Sequence, residues 1–237
     1  MITYVTAFLH GSNPKRGYAD YKAYFDALAR TGIPILLFLD HRSTWSFPGN
    51  VHIERVRFED TWTAKYIPDT GVLPDHRGST DTLEYMRIQN TKPEWLWRAS
   101  HLNPFRTDWF AWIDFGIVHV FRNPEATLER IRTLVPPAHP CIRIAGIWSL
   151  ISRQTSAVNW RFAGGFLLAH RSRVEDFFTT SCECISETLP SVTWEVNIWA
   201  IMESNGFAFE WFHSDHNDTI IPSASEQERL DQRALSG

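Results

Sequence analysis

Asp108-Trp-Phe-Ala-Trp-Ile-Asp-Phe-Gly116 is apolar from Trp109 to Ile113, stops on Asp114 and turns at Gly116. An apolar run of this length that ends at a turn predicts a buried strand followed by a loop carrying one acid. In open α/β sheets, ligands collect outside the carboxyl ends of the strands. An acid placed there, after hydrophobic residues that fix its position, can hold a cation or a sugar hydroxyl. Asp also caps turns with no further role.

Upstream, residues 2–9 are β-branched and aromatic and read as a first strand. A polar, turn-rich loop follows at 10–17. Residues 20–30 place Tyr21, Tyr24, Phe25 and Leu28 at helical spacing, and Gly32 ends that helix. Residues 34–39 form a short apolar strand closing on Asp40. This is a β-α-β unit, for which parallel strands and a right-handed crossover are expected. The carboxyl end of its first strand (Thr6, Ala7, Phe8) and Asp40 are therefore expected to line a nucleoside pocket. Residues 51–58 alternate as a half-exposed strand, and 59–80 read as a long loop with the character of a lid. Residues 82–102 suggest two helices meeting at Asn90-Thr-Lys-Pro93. Lys92 at that break can neutralise a phosphate, or be an ordinary solvated lysine.

Downstream, Asn123-Pro-Glu opens a helix, with Asn123 as N-cap and Pro124 in the first position. Strands are expected at 142–148 and 161–170. In the second, Gly164-Gly165 marks a bulge or a close approach of backbone to a ligand. Helices follow at 171–189 and 194–203, then a last strand at 207–212. The polar segment 223–237 is helix-prone and expected to attach loosely. No repeat, low-complexity tract or linker divides the chain, so 1–222 is read as a single domain with 223–237 as its tail.

The 237 residues are 43% hydrophobic and 21% charged, an ordinary globular balance. A net charge of −4 and the lack of a basic tract disfavour nucleic acid as a partner. Eleven Trp and sixteen Phe are many for this length; aromatics build cores and also serve as platforms for pyranose rings. Cys141, Cys182 and Cys184 show neither a disulfide framework nor zinc-site spacing. With no basic leader and no long apolar run, a cytoplasmic protein is expected, contact with the inner face of a membrane being left open.

Two further stretches carry chemistry. Glu195 opens a helix whose positions three, four and seven ahead are Ile198, Trp199 and Met202, so it either faces a pocket as a proton acceptor or serves the helix dipole. His213-Ser-Asp-His offers imidazole and Asp215 oxygen ligands suited to Mn²⁺ or Mg²⁺, able to converge with Asp114, or is merely a surface turn.

Asn90-Thr-Lys-Pro, Asn103-Pro-Phe-Arg-Thr-Asp-Trp-Phe-Ala-Trp-Ile-Asp-Phe-Gly-Ile, Ala163-Gly-Gly-Phe and Thr193-Trp-Glu-Val-Asn together resemble the HtrL/YibB (WlaTC-like) family of bacterial glycosyltransferase-like proteins. The resemblance implies a GT-A fold: an α/β, Rossmann-like, mostly parallel mixed sheet flanked by helices. It also implies a role in surface polysaccharide or lipopolysaccharide synthesis. The Asp-x-Asp motif of GT-A enzymes would fall on Asp114-Phe115-Gly116, where the second acid is missing. Metal binding would then rest on Asp114 with His213 or Asp215, or Lys92 would take over charge neutralisation. The reading is a glycosyltransferase moving a sugar from a nucleotide-diphosphate donor to a hydroxyl of a glycan or lipid-linked glycan, with Glu195 as base. The alternative is a noncatalytic carbohydrate-binding protein derived from such an enzyme. Donor, acceptor, stereochemical outcome and oligomeric state stay open.

Overall fold

The computed structural model describes residues 1–9, 16–78, 80–149 and 153–236, with the backbone alone at 235 and 236; most of the loop expected at 10–17 lies outside these. Seven strands form one sheet: β1 (Ile2–Phe8), β2 (Ile35–Asp40), β3 (Val51–Val56), β4 (Trp109–Ile113), β5 (Ile142–Gly146), β6 (Phe162–His170) and β7 (Glu210–His213). Their order is β3-β2-β1-β4-β6-β5-β7. β1 pairs in parallel with β2 and β4, β2 with β3, and β5 with β7. β6 runs antiparallel to both of its neighbours, β4 and β5. The result is a mixed, mostly parallel α/β sheet in which every strand except β6 points its carboxyl end to one edge.

β2 and β4 are buried along their whole length, which is why they read as unbroken apolar runs. β3, at the sheet's edge, keeps exposed residues and alternates. Helices cover both faces. On one face, α1 (Tyr18–Ala29), α5 (Pro124–Arg132) and α8 (Ala224–Ser236) contribute Phe25, Leu28, Ile131 and Leu230 to the core. On the other, α4 (Lys92–Leu102), α6 (Arg171–Thr188) and α7 (Glu195–Ser204) contribute Trp95, Leu96, Phe177, Ile198 and Trp199. Asn123 caps α5 through the Ala126 N–H, with Pro124 in its first turn, as expected.

Two expectations change. The segment at 59–80 is not featureless: it holds a 3₁₀ turn at Phe58–Asp60 and α2 (Trp62–Tyr66), and Arg87 ties it to α3 (Leu83–Gln89) through Asp69 and the Ala64 carbonyl. The C-terminal segment is docked rather than loose. α8 buries Leu230 and Gln227, and Asp231 accepts from Arg143 at 2.6 Å. Among the described residues no helix is long and apolar enough to cross a membrane.

Candidate active site

A cleft of about 430 Å³ opens at the carboxyl edge of the sheet, within the size range of small-molecule sites. β1 supplies Ala7 and Phe8, the loop after β4 supplies Asp114 to Ile117, and β6 supplies Ala163, Gly164 and Gly165. α3 brings Tyr85, and the first residues of α4 and α7 bring Lys92 and Glu195.

At the floor lies a charged trio. The Lys92 ammonium donates to Glu195 Oε1 at 2.7 Å and to the Gly164 carbonyl at 3.0 Å, and stands 3.1 Å from Asp114 Oδ1. An ammonium has three N–H donors, and three acceptors surround this one. The Lys92 side chain is 3% exposed and Glu195's 8%, whereas Asp114's is 39%. Lys92 sits in the first turn of a helix, where the dipole disfavours a cation. Burial lowers the pKa of an ammonium, but the charges of Asp114 and Glu195 outweigh it and hold Lys92 above the ordinary lysine value. Two carboxylates against one ammonium leave the floor with a net charge of −1 and Lys92 with no donor to offer a phosphate. The expected contact of Lys92 with a phosphate is therefore replaced by a contact with both carboxylates, which it positions.

The glycine pair explains how the trio packs. A Cβ at Gly164 would lie 2.3 Å from Glu195 Oε1, and one at Gly165 would lie 2.8 Å from the Ile117 Cδ1. The Gly165 carbonyl accepts from the Asp114 N–H at 3.0 Å. The pair also faces the register shift between β5 and β6. The bulge is present, and the group brought against the Gly164 backbone is the protein's own Glu195 carboxylate.

Asp114 Oδ1 is occupied by Lys92 and by the Trp112 indole N–H at 2.8 Å. Oδ2 lies on the Gly165 side and accepts no hydrogen bond among the described residues. Tyr85 is pushed well above the usual phenol range, first by burial and then by Glu195, Asp114 and Asp81, so it remains a donor at neutral pH. Trp160 and Trp194 also line the cleft; Trp160 stands edge-on to His216 at 4.5 Å, and the Trp194 indole donates to Asp81 at 3.3 Å. Arg16, on the loop after β1, lines it as well.

Of the residues expected from sequence, Ala7, Phe8, Lys92, Asp114, Gly164, Gly165 and Glu195 meet here. Thr6 does not: it is fully buried within β1 and absent from the cleft wall. Asp40 ends β2 as expected but does not line the cleft, because Arg42 closes on both of its oxygens at 2.8–2.9 Å. Neither His213 nor Asp215 lines it. Asp215 Oδ1 instead accepts from Thr219 Oγ1 and the Asn217 N–H within its own turn. The pairing of these two with Asp114 as metal ligands is not what the fold assembles. Asp114 can still offer Oδ2 as one oxygen ligand to a divalent ion such as Mg²⁺ or Mn²⁺.

Sequence reasoning missed Arg16, Asp81, Tyr85, Trp112, Trp160, Trp194 and His216. Trp112 had a usable signal, since it is two residues before Asp114 and so shares its side of the strand. The others come from loops and helix starts whose convergence no local pattern encodes.

No protein-family model matches the chain, and no curated protein matches it. Solved structures do. It is similar to a glycosyltransferase involved in the glycosylation of the major capsid of PBCV-1, at 10% identity over 100% of this chain and 99% of that one, TM-score 0.49. It is similar to a 4-diphosphocytidyl-2C-methyl-D-erythritol synthase from Anaerococcus prevotii, at 10% identity over 99% and 98%, TM-score 0.42. Mouse xyloside xylosyltransferase 1 in its apo form is a third, at 10% identity over 89% and 84%, TM-score 0.45.

Proposed function

We propose that the chain is a GT-A-type glycosyltransferase of the HtrL/YibB kind, moving a sugar from a nucleoside-diphosphate donor to a glycan hydroxyl in surface-polysaccharide synthesis. One observation carries the reading: a buried Lys92 holds two carboxylates at the floor of an aromatic-lined cleft on the carboxyl edge of a mostly parallel sheet. That edge is where such sheets take nucleotides. Transfer of a sugar needs three things: charge opposite the leaving diphosphate, a base for the acceptor hydroxyl, and walls that exclude water.

Arg16 supplies a cation at the β1 end. A divalent ion bound with the donor would be held by Asp114 Oδ2 and would neutralise the diphosphate. Glu195 is the base. Lys92 fixes its Oε1, and Oε2 accepts no hydrogen bond among the described residues, leaving it for the acceptor proton. The pairing orients Glu195, in place of the apolar wall its sequence neighbours suggested. Ile198, Trp199 and Met202 pack into the core instead. Tyr85 donates to a sugar or phosphate oxygen, and Trp160 and Trp194 flank the ring. The single-domain reading of 1–222 belongs to this proposal, with α8 bracing the edge of the sheet.

The test is turnover by Glu195→Gln, measured as nucleoside diphosphate released from a panel of sugar nucleotides with a glycan acceptor. A base role predicts a loss of roughly 10²–10⁴ in kcat with donor affinity nearly unchanged. Normal turnover by this variant would remove Glu195 from the reaction. A protein that binds glycan but releases no diphosphate would be the noncatalytic carbohydrate binder.

A further inference from the structure

At the opposite, amino-terminal edge of the sheet, His139, Cys141 and Glu210 come together. Cys141 directly precedes β5, Glu210 is the first residue of β7, and His139 stands between Ala138 and Pro140. One ligand atom from each lies within 4.8 Å of the others. His139 Nε2 is 3.0 Å from Glu210 Oε1, and Cys141 Sγ is 3.3 Å from Glu210 Oε2. We propose that these three side chains form a binding site for a divalent ion of the Zn²⁺ class, with water in the remaining position.

The donor set selects the ion. Imidazole, thiolate and carboxylate are ligands of Zn²⁺, while Mg²⁺ and Ca²⁺ prefer oxygen alone. Zinc–ligand bonds of about 2.0–2.3 Å in a tetrahedron need ligand atoms roughly 3.3–3.8 Å apart; the three ligand atoms lie within 4.8 Å of one another, so side-chain shifts of about an ångström would seat the ion. Arg143 and Glu210 are register partners across β5 and β7, so two of the ligands sit on or beside paired strands.

The surroundings show the same need. Arg143, fully buried, donates to Glu210 Oε2 at 2.5 Å and to Asp231 Oδ1 at 2.6 Å. Glu210 Oε1, which faces His139 Nε2 at 3.0 Å, would exchange that contact for the ion, and Arg143 would be the outer-shell partner that metal-bound carboxylates commonly have. Among the described residues, the buried His139 Nδ1 has no hydrogen-bond partner. Buried groups of this kind are normally satisfied by water or a ligand. Charge closes as well. Glu210 and Asp231 against Arg143 leave −1. When the ion binds, the Cys141 S–H breaks, its proton passes to solvent and the S–metal bond forms; the thiolate adds −1 and the ion +2, for a total of zero.

The proposal is independent of the reading of the cleft. Its test is titration of the EDTA-treated full-length protein with Co²⁺ and then Zn²⁺. The expected result is uptake of one equivalent of Co²⁺ with a thiolate-to-cobalt charge-transfer band in the near ultraviolet, abolished by one equivalent of Zn²⁺. Cys141→Ser, with an unchanged far-ultraviolet spectrum, should lose the band, and His139→Gln should weaken binding by about tenfold or more. Cys182→Ser should keep both. His139 is 30% exposed, so its variant serves if the Cys141 substitution fails to fold. No one-to-one uptake, or a band that survives Cys141→Ser, would overturn the site and leave the cluster a hydrogen-bond network alone.

Discussion

Replacing Lys92 by Met keeps the length of the side chain and removes its charge. In the native protein this ammonium is 3% exposed and faces Glu195, 8% exposed, at 2.7 Å. Losing one partner of a buried pair leaves the other as an unpaired buried charge, at a cost of about 3–5 kcal/mol. Asp114 adds little to that figure, because its 39% exposure lets water screen it. With a urea m-value of about 2–3 kcal/mol/M, the unfolding midpoint should fall by roughly 1–2.5 M. If the unpaired Glu195 charge is the cause, adding Glu195→Gln should recover about 1–3 kcal/mol, a coupling typical of residues in contact. The pH dependence has a sign. The folded pKa of Lys92 is raised, so its contribution is complete below the unfolded lysine value of about 10.4 and is lost as pH rises through the folded value. The gap between wild type and Lys92→Met should hold steady from neutral pH to about pH 10 and narrow beyond it. A Lys92→Met variant within 1 kcal/mol of wild type, or a double variant no more stable than the single one, would refute this electrostatic account of the floor.

Other perturbations follow from the same geometry. Gly164→Ala places a methyl 2.3 Å from Glu195 Oε1, an atom Lys92 holds, so it should cost about 1–3 kcal/mol and lower turnover; unchanged stability and turnover would mean that Glu195 is not held as described. Asp218 accepts from Thr127 Oγ1 and from the Asn123 and Arg122 N–H groups at the start of α5. Asp218→Ala should cost about 1–3 kcal/mol at neutral pH. Partial burial raises the Asp218 pKa, but those hydrogen bonds lower it more. Its stabilisation is therefore present above the unfolded value of about 3.9 and lost as pH falls through the lower folded one, so the gap to wild type should shrink in acid-unfolding curves.

The strands of this fold were legible wherever burial was uniform. β2 and β4 are covered on both faces, and their apolar runs say so without context. The direction of β6 was not legible, because a strand's own residues do not encode which way its neighbours run. Within the site, Asp114 was readable as an acid closing a buried strand, and Gly164-Gly165 as a close approach. The partner of that approach was out of reach, since Glu195 lies about thirty residues further on. Lys92 shows the main limit: a lysine at a helix break is usually solvated, and only the assembled tertiary structure shows it buried between two acids. Asp40 and Asp215 misled for a local reason that the chain did contain. Arg42 is two residues after the first and Thr219 four after the second, so each carboxylate finds its partner close in sequence.

The most direct measurement of the central claim is calorimetric titration of the protein with UDP, GDP, CDP and ADP, with and without Mn²⁺, in wild type and Asp114→Asn. The account predicts that one nucleoside diphosphate binds with unit stoichiometry. It also predicts that Mn²⁺ strengthens this binding, and that Asp114→Asn, which keeps the shape but weakens Oδ2 as a ligand, removes most of the metal's effect while leaving the fold intact. A ligand at 100 times its Kd should also raise stability by about 2.7 kcal/mol. Failure of all four diphosphates to bind, with Mn²⁺ or without it, would contradict the assignment of this cleft to a nucleotide-sugar donor.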